Sequence, residues 1–349
     1  MDVSHILDEL NEPQREAVTS SAAHNLVLAG AGSGKTRVLI HRLAWLIQVE
    51  HVSPLGILAV TFTNKAAGEM RERAQNLLDV STRPLWIGTF HSIAHRLLRM
   101  HWREAGLEEN FQILDSDDQQ RLIRRLIRDE GFDENQWPAR QAQWFINARK
   151  DEGQRPEAIE TLDNPLTETW TRIYRLYQDY CDRAGLVDFA ELLLRAHELW
   201  LHNDDLLAHY RSRLRHILVD EFQDTNTIQY AWIRLLAGET GNVFVVGDDD
   251  QSIYGWRGAR VENVRHFTRD FRDVHTVRLE QNYRSTGNIL AAANTLIANN
   301  EGRLGKNLWT EDAEGEPIRV YAAFNEQDEA RFVVNQIEQW IADGRQAEE

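Results

Sequence analysis

Short apolar runs alternate with longer stretches of helical spacing in the first 90 residues. The runs Asn25–Leu28, Ile57–Thr61 and Leu85–Gly88 are too short for helices and predict buried strands. The segments Arg37–Leu43 and Lys65–Leu78 have helical spacing, which predicts a helix after each of the first two strands. Strands that alternate with helices predict an α/β domain.

The pattern changes between residues 91 and 212, where Arg, Gln, Leu and Trp recur at helical spacing and no run predicts a strand. Helices are expected at Asp117–Glu130 and Asp188–Leu201, and Asp188 can cap the second. Tryptophans in such helices pack in a core more often than they form a binding surface. We expect this of Trp102, Trp137, Trp144, Trp170 and Trp200.

Strands return at His216–Val219 and Asn242–Gly247. The simplest account is a single α/β domain, residues 1–90 and 213–280, that is interrupted by a helical accessory domain at residues 91–212.

A further pattern begins after Gln281. It predicts a helix near Asn288–Asn299, a strand at Ile318–Tyr321 and a helix at Glu326–Ala342. One strand and two helices make a poor independent domain. We therefore expect residues 281–349 to be the beginning of another domain that this chain does not complete.

Composition limits the classes of protein. The 349 residues contain no apolar run of about 18, and the amino terminus lacks the layout of a signal peptide, so we expect no membrane span and a cytoplasmic location. The single cysteine, Cys181, excludes an intrachain disulfide and a cysteine metal site, and we expect it to be buried and reduced.

The net charge of −16 alone argues against nucleic acid as a ligand. The segment Val60–Ala105, however, carries seven Lys or Arg against four Asp or Glu, which is compatible with a local basic groove.

The clearest chemical pattern is Ala29–Thr36, between the first strand and its helix. Its glycines let backbone N–H groups surround phosphate oxygens, and the helix amino terminus adds positive charge. Lys35 would reach the β- and γ-phosphates, and the Thr36 hydroxyl would bind Mg²⁺. The pattern predicts a nucleoside triphosphate site formed by Ala29, Gly30, Ala31, Gly32, Ser33, Gly34, Lys35 and Thr36. It departs from the general motif only in having Ala29 where glycine is usual.

A strand that ends in two carboxylates could supply the other half of such a site. Asp220 and Glu221 follow the apolar run Ile217–Val219. Asp220 would hold Mg²⁺, usually through water, and Glu221 would act as a general base or orient the attacking water. Alone, the pair would be better explained as a solvated acidic turn, but together with the phosphate loop it favours an active site.

The next strand ends in three successive aspartates, Asp248–Asp250. Adjacent side chains of an extended chain point to opposite sides, so they rarely converge on one metal ion. A solvated turn is therefore the better interpretation of the second and third aspartates, Asp249 and Asp250. Gln251 is more informative because a neutral amide can hydrogen-bond to a γ-phosphate or to its water.

His91 and His95 have the i, i+4 spacing of a zinc site but no Glu between them, so zinc is not expected.

These ordered motifs resemble those of superfamily 1 DNA helicases, and the group of UvrD, PcrA and Rep is the most similar. The residues that carry the resemblance form four blocks, Ala29–Thr36, Val219–Asp224, Gly247–Gly258 and Glu280–Thr286. Even Ala29 matches the form of the loop found in this family. The order and spacing agree from residue 8 to residue 349, and the resemblance implies a RecA-like motor domain, a helical insertion and the start of a second RecA-like domain.

The resemblance also implies how ATP and Mg²⁺ would be held. Gln14 resembles the residue that reads adenine, Arg37 would lie beside the nucleotide, and Tyr283 would stack on the base. Arg284 would contact the γ-phosphate across the cleft, as arginine fingers do. The implied catalytic residues are Lys35, Glu221, Gln251 and Arg284.

An interface for single-stranded DNA is implied in the same way. The polar side chains suited to phosphate contacts are Thr63, Asn64 and Lys65, with His91 close to the DNA. The base contacts would come from a pocket at Phe62 and from a platform of Tyr254, Trp256 and Arg257, because every base has a π-face for stacking. Without the resemblance, Phe62 fits core packing equally well, and Asn64 is also the expected cap of the following helix.

The function implied is an ATP-dependent helicase that moves 3′ to 5′ on single-stranded DNA, acts at duplex junctions and serves DNA repair or replication, with repair proteins as partners. Two other classes stay open: the motor of a RecB- or AddA-type helicase–nuclease, and a binding protein without turnover. A nuclease domain beyond this chain would favour the first, and indifference to loss of Lys35 would favour the second. Because the family has further motifs beyond residue 349, we expect this chain alone to bind nucleotide weakly, hydrolyse little and not unwind DNA.

Overall fold

The computed structural model describes residues 3–78, 82, 84–162 and 164–345 of the chain. Asp79 and Arg83, two charged residues of the predicted basic stretch, lie outside the described residues.

Helices cover most of the described chain. The α-helices are Ser4–Leu7 (α1), Glu12–Thr19 (α2), Lys35–Gln48 (α3), Asn64–Leu78 (α4), Phe90–Met100 (α5), Ser116–Asp129 (α6), Ala139–Asp151 (α7), Pro165–Ala184 (α8), Phe189–Leu201 (α9), Asp204–Arg213 (α10), Thr227–Ala237 (α11), Glu262–Asp270 (α12), Gly287–Ile297 (α13) and Glu326–Ala342 (α14). Short 3-10 helices occur at Pro54–Gly56, Pro156–Ala158, Phe222–Asp224, Asp249–Gln251 and Gly255–Arg257. The strands are His24–Ala29 (β1), Ile57–Thr61 (β2), Trp86–Thr89 (β3), Gln112–Leu114 (β4), Leu186–Asp188 (β5), His216–Val219 (β6), Asn242–Gly247 (β7) and His275–Leu279 (β8).

Six strands form a parallel sheet in the order β3-β2-β6-β7-β1-β8. In the register of its centre, Leu26 lies between Val245 and Thr276. This arrangement confirms the predicted α/β fold with a parallel sheet, and five of the six strands lie within one or two residues of their predicted positions. β8 was missed because its residues are not a continuous apolar run: Arg278 and the half-buried His275 interrupt it.

Alternate residues of each strand enter separate cores on the two faces of the sheet. In β1, Leu26 and Leu28 pack against one set of helices, which includes α5, α9 and α11. Val27 and Ala29 face the opposite core, where α2, α3 and α4 pack. Because both faces are covered, nearly every strand position is buried, which explains the continuous apolar runs in the sequence.

The region between residues 91 and 212 has a helical core of its own, but it also contains a two-stranded parallel sheet. β4 and β5 pair with Ile113 opposite Val187. The prediction that no strand occurs here was therefore wrong. Each strand has only three residues, which is too short to produce a readable apolar pattern.

The tryptophans of this region do not all lie in the core. Trp137 and Trp200 are buried, Trp102 is half-buried, and Trp170 packs edge-on against Trp137 with ring centroids 4.6 Å apart. Trp144, however, is 69% exposed on α7. The core prediction was wrong for Trp144 because the periodicity of one helix does not reveal which of its faces meets a neighbour.

One predicted helix cap is confirmed and the other is wrong. The Asp188 carboxylate accepts a hydrogen bond from the backbone N–H of Glu191, as expected of a cap of α9. At α4, Asn64 is the first helical residue, and the hydroxyl of Thr63 instead accepts the N–H of Ala66 at 3.1 Å.

The segment after β8 contains α13 and α14 close to their predicted positions, but Ile318–Tyr321 is not a strand. Val320 is 93% exposed, and no neighbouring strand pairs with this run in the described part of the chain. A strand needs such a neighbour to satisfy its backbone polar groups. The segment contacts the sheet domain elsewhere, because the backbone N–H of Tyr283 donates to the carbonyl of Gly32 at 2.9 Å.

Cys181 is buried, as predicted, and burial raises the pKa of its thiol to about 12. Among the residues that the structure describes, no helix combines the length and apolar character needed to cross a bilayer.

Within residues 91–212, a buried ion network ties α7 and the segment after it to α9. Lys150 is fully buried, with its ammonium 2.7 Å from Asp188 and 2.9 Å from Glu191. Arg155 donates two hydrogen bonds to Glu191, each of 2.8 Å, and Arg195 donates another of 2.7 Å. Although burial opposes its charge, the two carboxylates raise the pKa of Lys150. The network is thus a set of mutually dependent charges in a dry environment.

Replacing Lys150 by Met should destabilise the protein by about 3–5 kcal/mol, because Asp188 and Glu191 would lose a buried counter-ion. Urea unfolding monitored by circular dichroism measures this change. Arg121→Met, which removes a 3.2 Å ion pair with Asp118 on the exposed face of α6, is the matched control and should have little effect. Equal effects of the two substitutions would contradict the assignment.

Candidate functional site

The six parallel strands bring the motif residues to one edge of the sheet. The phosphate loop follows β1, Asp220 follows β6, and Asp248 follows β7. The carboxyl ends of β2 and β3 lead to Phe62 and His91 at the same edge. Ligands of parallel α/β sheets bind at this edge, where loops leave the strands.

The phosphate loop has the backbone conformation that its glycines permit. Gly34 has φ +87° and directly precedes α3, and a Cβ there would lie 2.8 Å from Nε2 of Gln14. A larger residue would therefore be both strained and crowded. The Ser33 hydroxyl donates a hydrogen bond to the carbonyl of Gly30 at 2.7 Å. Lys35 begins α3, so the unpaired N–H groups of the helix start lie beside the loop.

Lys35 and the end of β6 are in direct contact. The Lys35 ammonium lies 3.1 Å from Oε2 of Glu221. Glu221 has φ +49°, a left-handed conformation that costs free energy for a residue with a side chain. Backbone strain of this kind concentrates at functional sites, where the surrounding structure maintains it.

Asp220 is a buried carboxylate with little to stabilise its charge. It is 3% exposed, and its Oδ1 accepts the N–H of Glu221 at 3.1 Å. Burial and the nearby Glu221 charge raise the pKa of Asp220 to about 7. The same two causes raise the pKa of Asp224 to about 6. Three carboxyl groups therefore share a region in which not all are readily ionised.

Gln223 is a positioning residue that the sequence analysis did not single out. Its amide donates to Oε2 of Glu221 at 2.9 Å and accepts the backbone N–H of Asp248, also at 2.9 Å. A Cβ on Gly247 would lie 2.8 Å from Oε1 of Gln223, so the close approach depends on glycine. Gln223 belongs to a quoted motif block, but only the fold reveals that it joins the ends of β6 and β7.

The expectation that the second and third aspartates form a solvated turn was wrong. Arg303 donates two hydrogen bonds of 2.7 Å to Asp250, and the ammonium of Lys306 contacts all three aspartates, including Asp248 at 2.9 Å. Lys306 is only 6% exposed. Both cations come from the segment after β8, 50 or more residues away, so the pattern near the aspartates could not indicate them.

A cleft of about 550 Å³ collects most of the predicted nucleotide residues. It is lined by Gln14, Ala31, Gly32, Gly34, Lys35, Thr36, Arg37, Glu221, Gln251, Tyr283 and Arg284. Ala29 is buried within β1, and Ser33 is buried in the loop. Asp220 is buried and does not line this cleft.

The Gln14 amide is already occupied within the chain. It donates to the carbonyl of Ser33 at 2.9 Å and accepts the N–H of Asn11 at 3.1 Å. Gln14 therefore supports the loop here, and contact with an adenine would require the exchange of at least one of these bonds. Gln251 is tied in a similar way to the carboxylate of Asp248.

Tyr283 and Arg284 reach the cleft from the segment after β8. The backbone N–H of Tyr283 donates to the carbonyl of Gly32 at 2.9 Å, and the Tyr283 hydroxyl accepts from Asn11 at 2.8 Å. Both side chains are exposed at the cleft. Asn282, which is buried and donates to the carbonyl of Ala31, is a second positioning residue that the sequence analysis did not identify.

A second cavity, of about 310 Å³, lies beside the ends of β2 and β3. Phe62 and Tyr254 are stacked on one of its sides, with ring centroids 6.5 Å apart and planes within 10°. The guanidinium of Arg257 lies 4.6 Å from the ring of Trp256, which is 71% exposed. Aromatic and cationic groups arranged in this way are typical of a surface that stacks on bases.

The predicted polar contacts differ in what they can do. Asn64 and Lys65 are exposed at the start of α4, whereas the Thr63 hydroxyl is used in the helix cap. Burial lowers the pKa of His91 to about 4, so its imidazole is neutral at pH 7 and would contact a phosphate by a hydrogen bond rather than by charge. The ring of Phe189, which is 51% exposed, lies edge-on to His91 with centroids 6.2 Å apart. No local pattern indicates that Phe189 would line this cavity, because it resembles an ordinary first residue of α9.

The fold and the two cavities define a phosphate-loop α/β domain with an aromatic cavity at the same sheet edge. Residues 10–272 match the model of the UvrD/REP helicase N-terminal domain, and residues 277–349 match that of the UvrD-like helicase C-terminal domain. The chain belongs to the UvrD/REP helicase family.

Known relatives of high identity support this assignment. The chain is 65% identical over 344 residues to DNA helicase II of Escherichia coli strain K12, with 99% of this chain and 48% of that protein covered. It is 60% identical to DNA helicase II of Haemophilus influenzae, with 99% and 48% covered, and 42% identical to the ATP-dependent DNA helicase PcrA of Staphylococcus aureus, with 95% and 46% covered. The chain spans about half the length of these relatives.

Asp220→Asn should stabilise the protein in the absence of metal at neutral pH. The pKa of Asp220 is raised in the folded state, so its contribution to stability falls as pH rises from about 4 to about 7. The amide removes a cost of up to about 4 kcal/mol at pH 8, and this gain should vanish towards pH 4.

Thermal unfolding in a chelating buffer at several pH values measures this difference. Asp312→Asn, at an exposed position, is the control and should show no such trend. A substitution at Asp220 that destabilises the protein equally at every pH would contradict the assigned ionisation.

Proposed function

We propose that this chain is the ATP-binding part of an ATP-dependent DNA helicase that moves 3′ to 5′ along single-stranded DNA. The observation that supports this most is the position of one turn. The turn after β7 presents Gln251 to the nucleotide cleft and Tyr254 and Arg257 to the aromatic cavity. A change at one cavity can therefore be passed to the other through a few residues.

In the proposed site, the phosphates lie against the loop and Lys35. A phosphate would replace Glu221 as the partner of Lys35, and the released Glu221 would orient or deprotonate the attacking water. Tyr283 would stack on the adenine, and Gln14 would hydrogen-bond to its edge. Arg37 would lie beside the nucleotide. Arg284 and Gln251 would contact the γ-phosphate and its water.

Thr36 and Asp220 are the residues proposed to hold Mg²⁺. Their hydroxyl and carboxylate oxygens are the ligand types that this ion prefers. The raised pKa of Asp220 also fits, because a nearby divalent cation would favour the ionised carboxylate. The ion would supply charge neutralisation to the phosphates.

Single-stranded DNA is the proposed ligand of the second cavity. Phe62, Tyr254 and Phe189 would contact bases within it, Trp256 would contact a base beside it, and Arg257 would add a cationic face. Thr63, Asn64, Lys65 and His91 would contact the backbone, with His91 as a neutral hydrogen-bonding group. A negative net charge does not prevent this, because local geometry decides where the strand lies.

The proposed motor has two RecA-like domains, with residues 1–90 and 213–280 in the first and residues 281–349 at the start of the second. Residues 91–212 would form the accessory domain. Since the relatives are about twice as long, unwinding is proposed for a protein of that length, and this chain alone should hydrolyse little ATP. Work at duplex junctions during repair or replication, with repair proteins as partners and in the cytoplasm, fits the same proposal.

The proposal is tested by measuring nucleotide binding by this chain, and ATP hydrolysis with and without single-stranded oligonucleotides by a protein of the relatives' length. Lys35→Ala should abolish nucleotide binding, because it removes the cation that would face the β- and γ-phosphates. A protein that retains its DNA-dependent function after this change would be a binding protein rather than a motor.

Trp256→Ala should weaken binding of single-stranded DNA by about 1–3 kcal/mol and leave nucleotide binding unchanged. Fluorescence anisotropy with a labelled oligonucleotide measures the loss. Trp340→Ala, at a 48% exposed tryptophan of α14, is the matched control. Equal affinities of the Trp256→Ala variant and the control would remove Trp256 from the interface.

A further inference from the structure

A third groove, of about 670 Å³, runs between α7 of the accessory region and the turn Gly255–Arg260. Two large aromatic side chains line it, Trp144 and Trp256, which are 69% and 71% exposed. An exposed tryptophan is unusual on the surface of a folded domain, and two in one groove indicate a surface used for binding.

The groove is continuous with the cavity that contains Phe62 and Tyr254. Arg257 lines both, and so do Asn147 and Asp151 of α7. A polymer chain that leaves the Phe62–Tyr254 cavity past Arg257 would therefore enter this groove without crossing another part of the surface.

The groove is lined by four guanidinium groups, of Arg140, Arg149, Arg257 and Arg260, and by two carboxyl groups, of Asp151 and Glu152, so its charge favours a polyanion. Glu152 is paired with Arg149 at 2.8 Å and with Arg260 at 3.3 Å, so its charge is offset within the chain. Arg140, on the exposed face of α7, and Arg257 have no carboxylate partner within 4.0 Å among the described residues. Two cations thus remain available beside two aromatic faces.

We infer that this groove is a second binding site for single-stranded DNA, in which Trp144 stacks on a base and Arg140 contacts a phosphate. This inference rests on the proposed function, since it extends the same strand. A peptide could also use exposed tryptophans, but the shared Arg257 and the unpaired guanidinium groups favour DNA.

Binding of labelled oligothymidylates of increasing length to the full chain tests the inference. The shortest oligonucleotides that bind should fill only the Phe62–Tyr254 cavity, so Trp144→Ala should bind them like the unchanged protein. The Trp144→Ala variant should bind longer oligonucleotides about 5- to 150-fold more weakly than the unchanged protein does, which is the effect of one stacked base. Trp144→Tyr, which retains a π-face, should recover most of this loss.

Arg140→Gln should make the negative slope of log affinity against log salt shallower by about 0.7, for long oligonucleotides only, because one phosphate contact is lost. Leu166→Ala, at a 59% exposed apolar residue of the same region, is the control and should change neither quantity. Equal binding of every length by Trp144→Ala and the unchanged protein would overturn the inference but leave the proposed function intact. Failure of the unchanged protein to bind any length would overturn both. Unchanged oligonucleotide binding by both Trp144→Ala and Arg140→Gln would leave a peptide as the occupant that fits the groove.

Discussion

The hydrogen bonds of Gln223 connect the cleft beside the phosphate loop to the rest of the sheet edge. Glu221, which pairs with Lys35, is bound to one end of its amide, and the backbone of Asp248 is bound to the other. These groups are mostly buried, so breaking either bond would leave polar atoms unsatisfied, at a cost of about 1–3 kcal/mol. The ends of β6 and β7 are thereby held together, and the aromatic turn after β7 is positioned relative to the phosphate loop.

Several locally unfavourable features of the described chain lie at this same edge of the sheet. Asp220 is a carboxyl group in a dry environment, Glu221 has a strained backbone, and Oδ1 of Asp224 has no hydrogen-bond partner. The two apolar cores below the edge supply the stability that offsets these costs. Such a distribution is expected when a site is arranged to act on a ligand rather than to stabilise the free protein.

Features that depend on neighbouring residues were predicted well from the sequence, and features that depend on distant ones were not. The runs that became β1, β2, β6 and β7, and the loop before α3, have short-range signals of apolarity and glycine placement. The partners of Asp248–Asp250, by contrast, lie 50 or more residues away, and the exposure of Trp144 depends on which helices pack against α7. The run at Ile318–Tyr321 shows the reverse case, because a suitable local pattern without a partner strand does not form a strand.

The position of Cys181 makes the chain convenient for spectroscopy. It is the single cysteine of the sequence, it is 2% exposed, and a pKa of about 12 keeps its thiol protonated and unreactive at neutral pH. A cysteine introduced at an exposed position would therefore react with a maleimide dye in preference to the native thiol. Pairs of such dyes could report on motions between the phosphate loop and the segment after β8 without prior removal of any native residue.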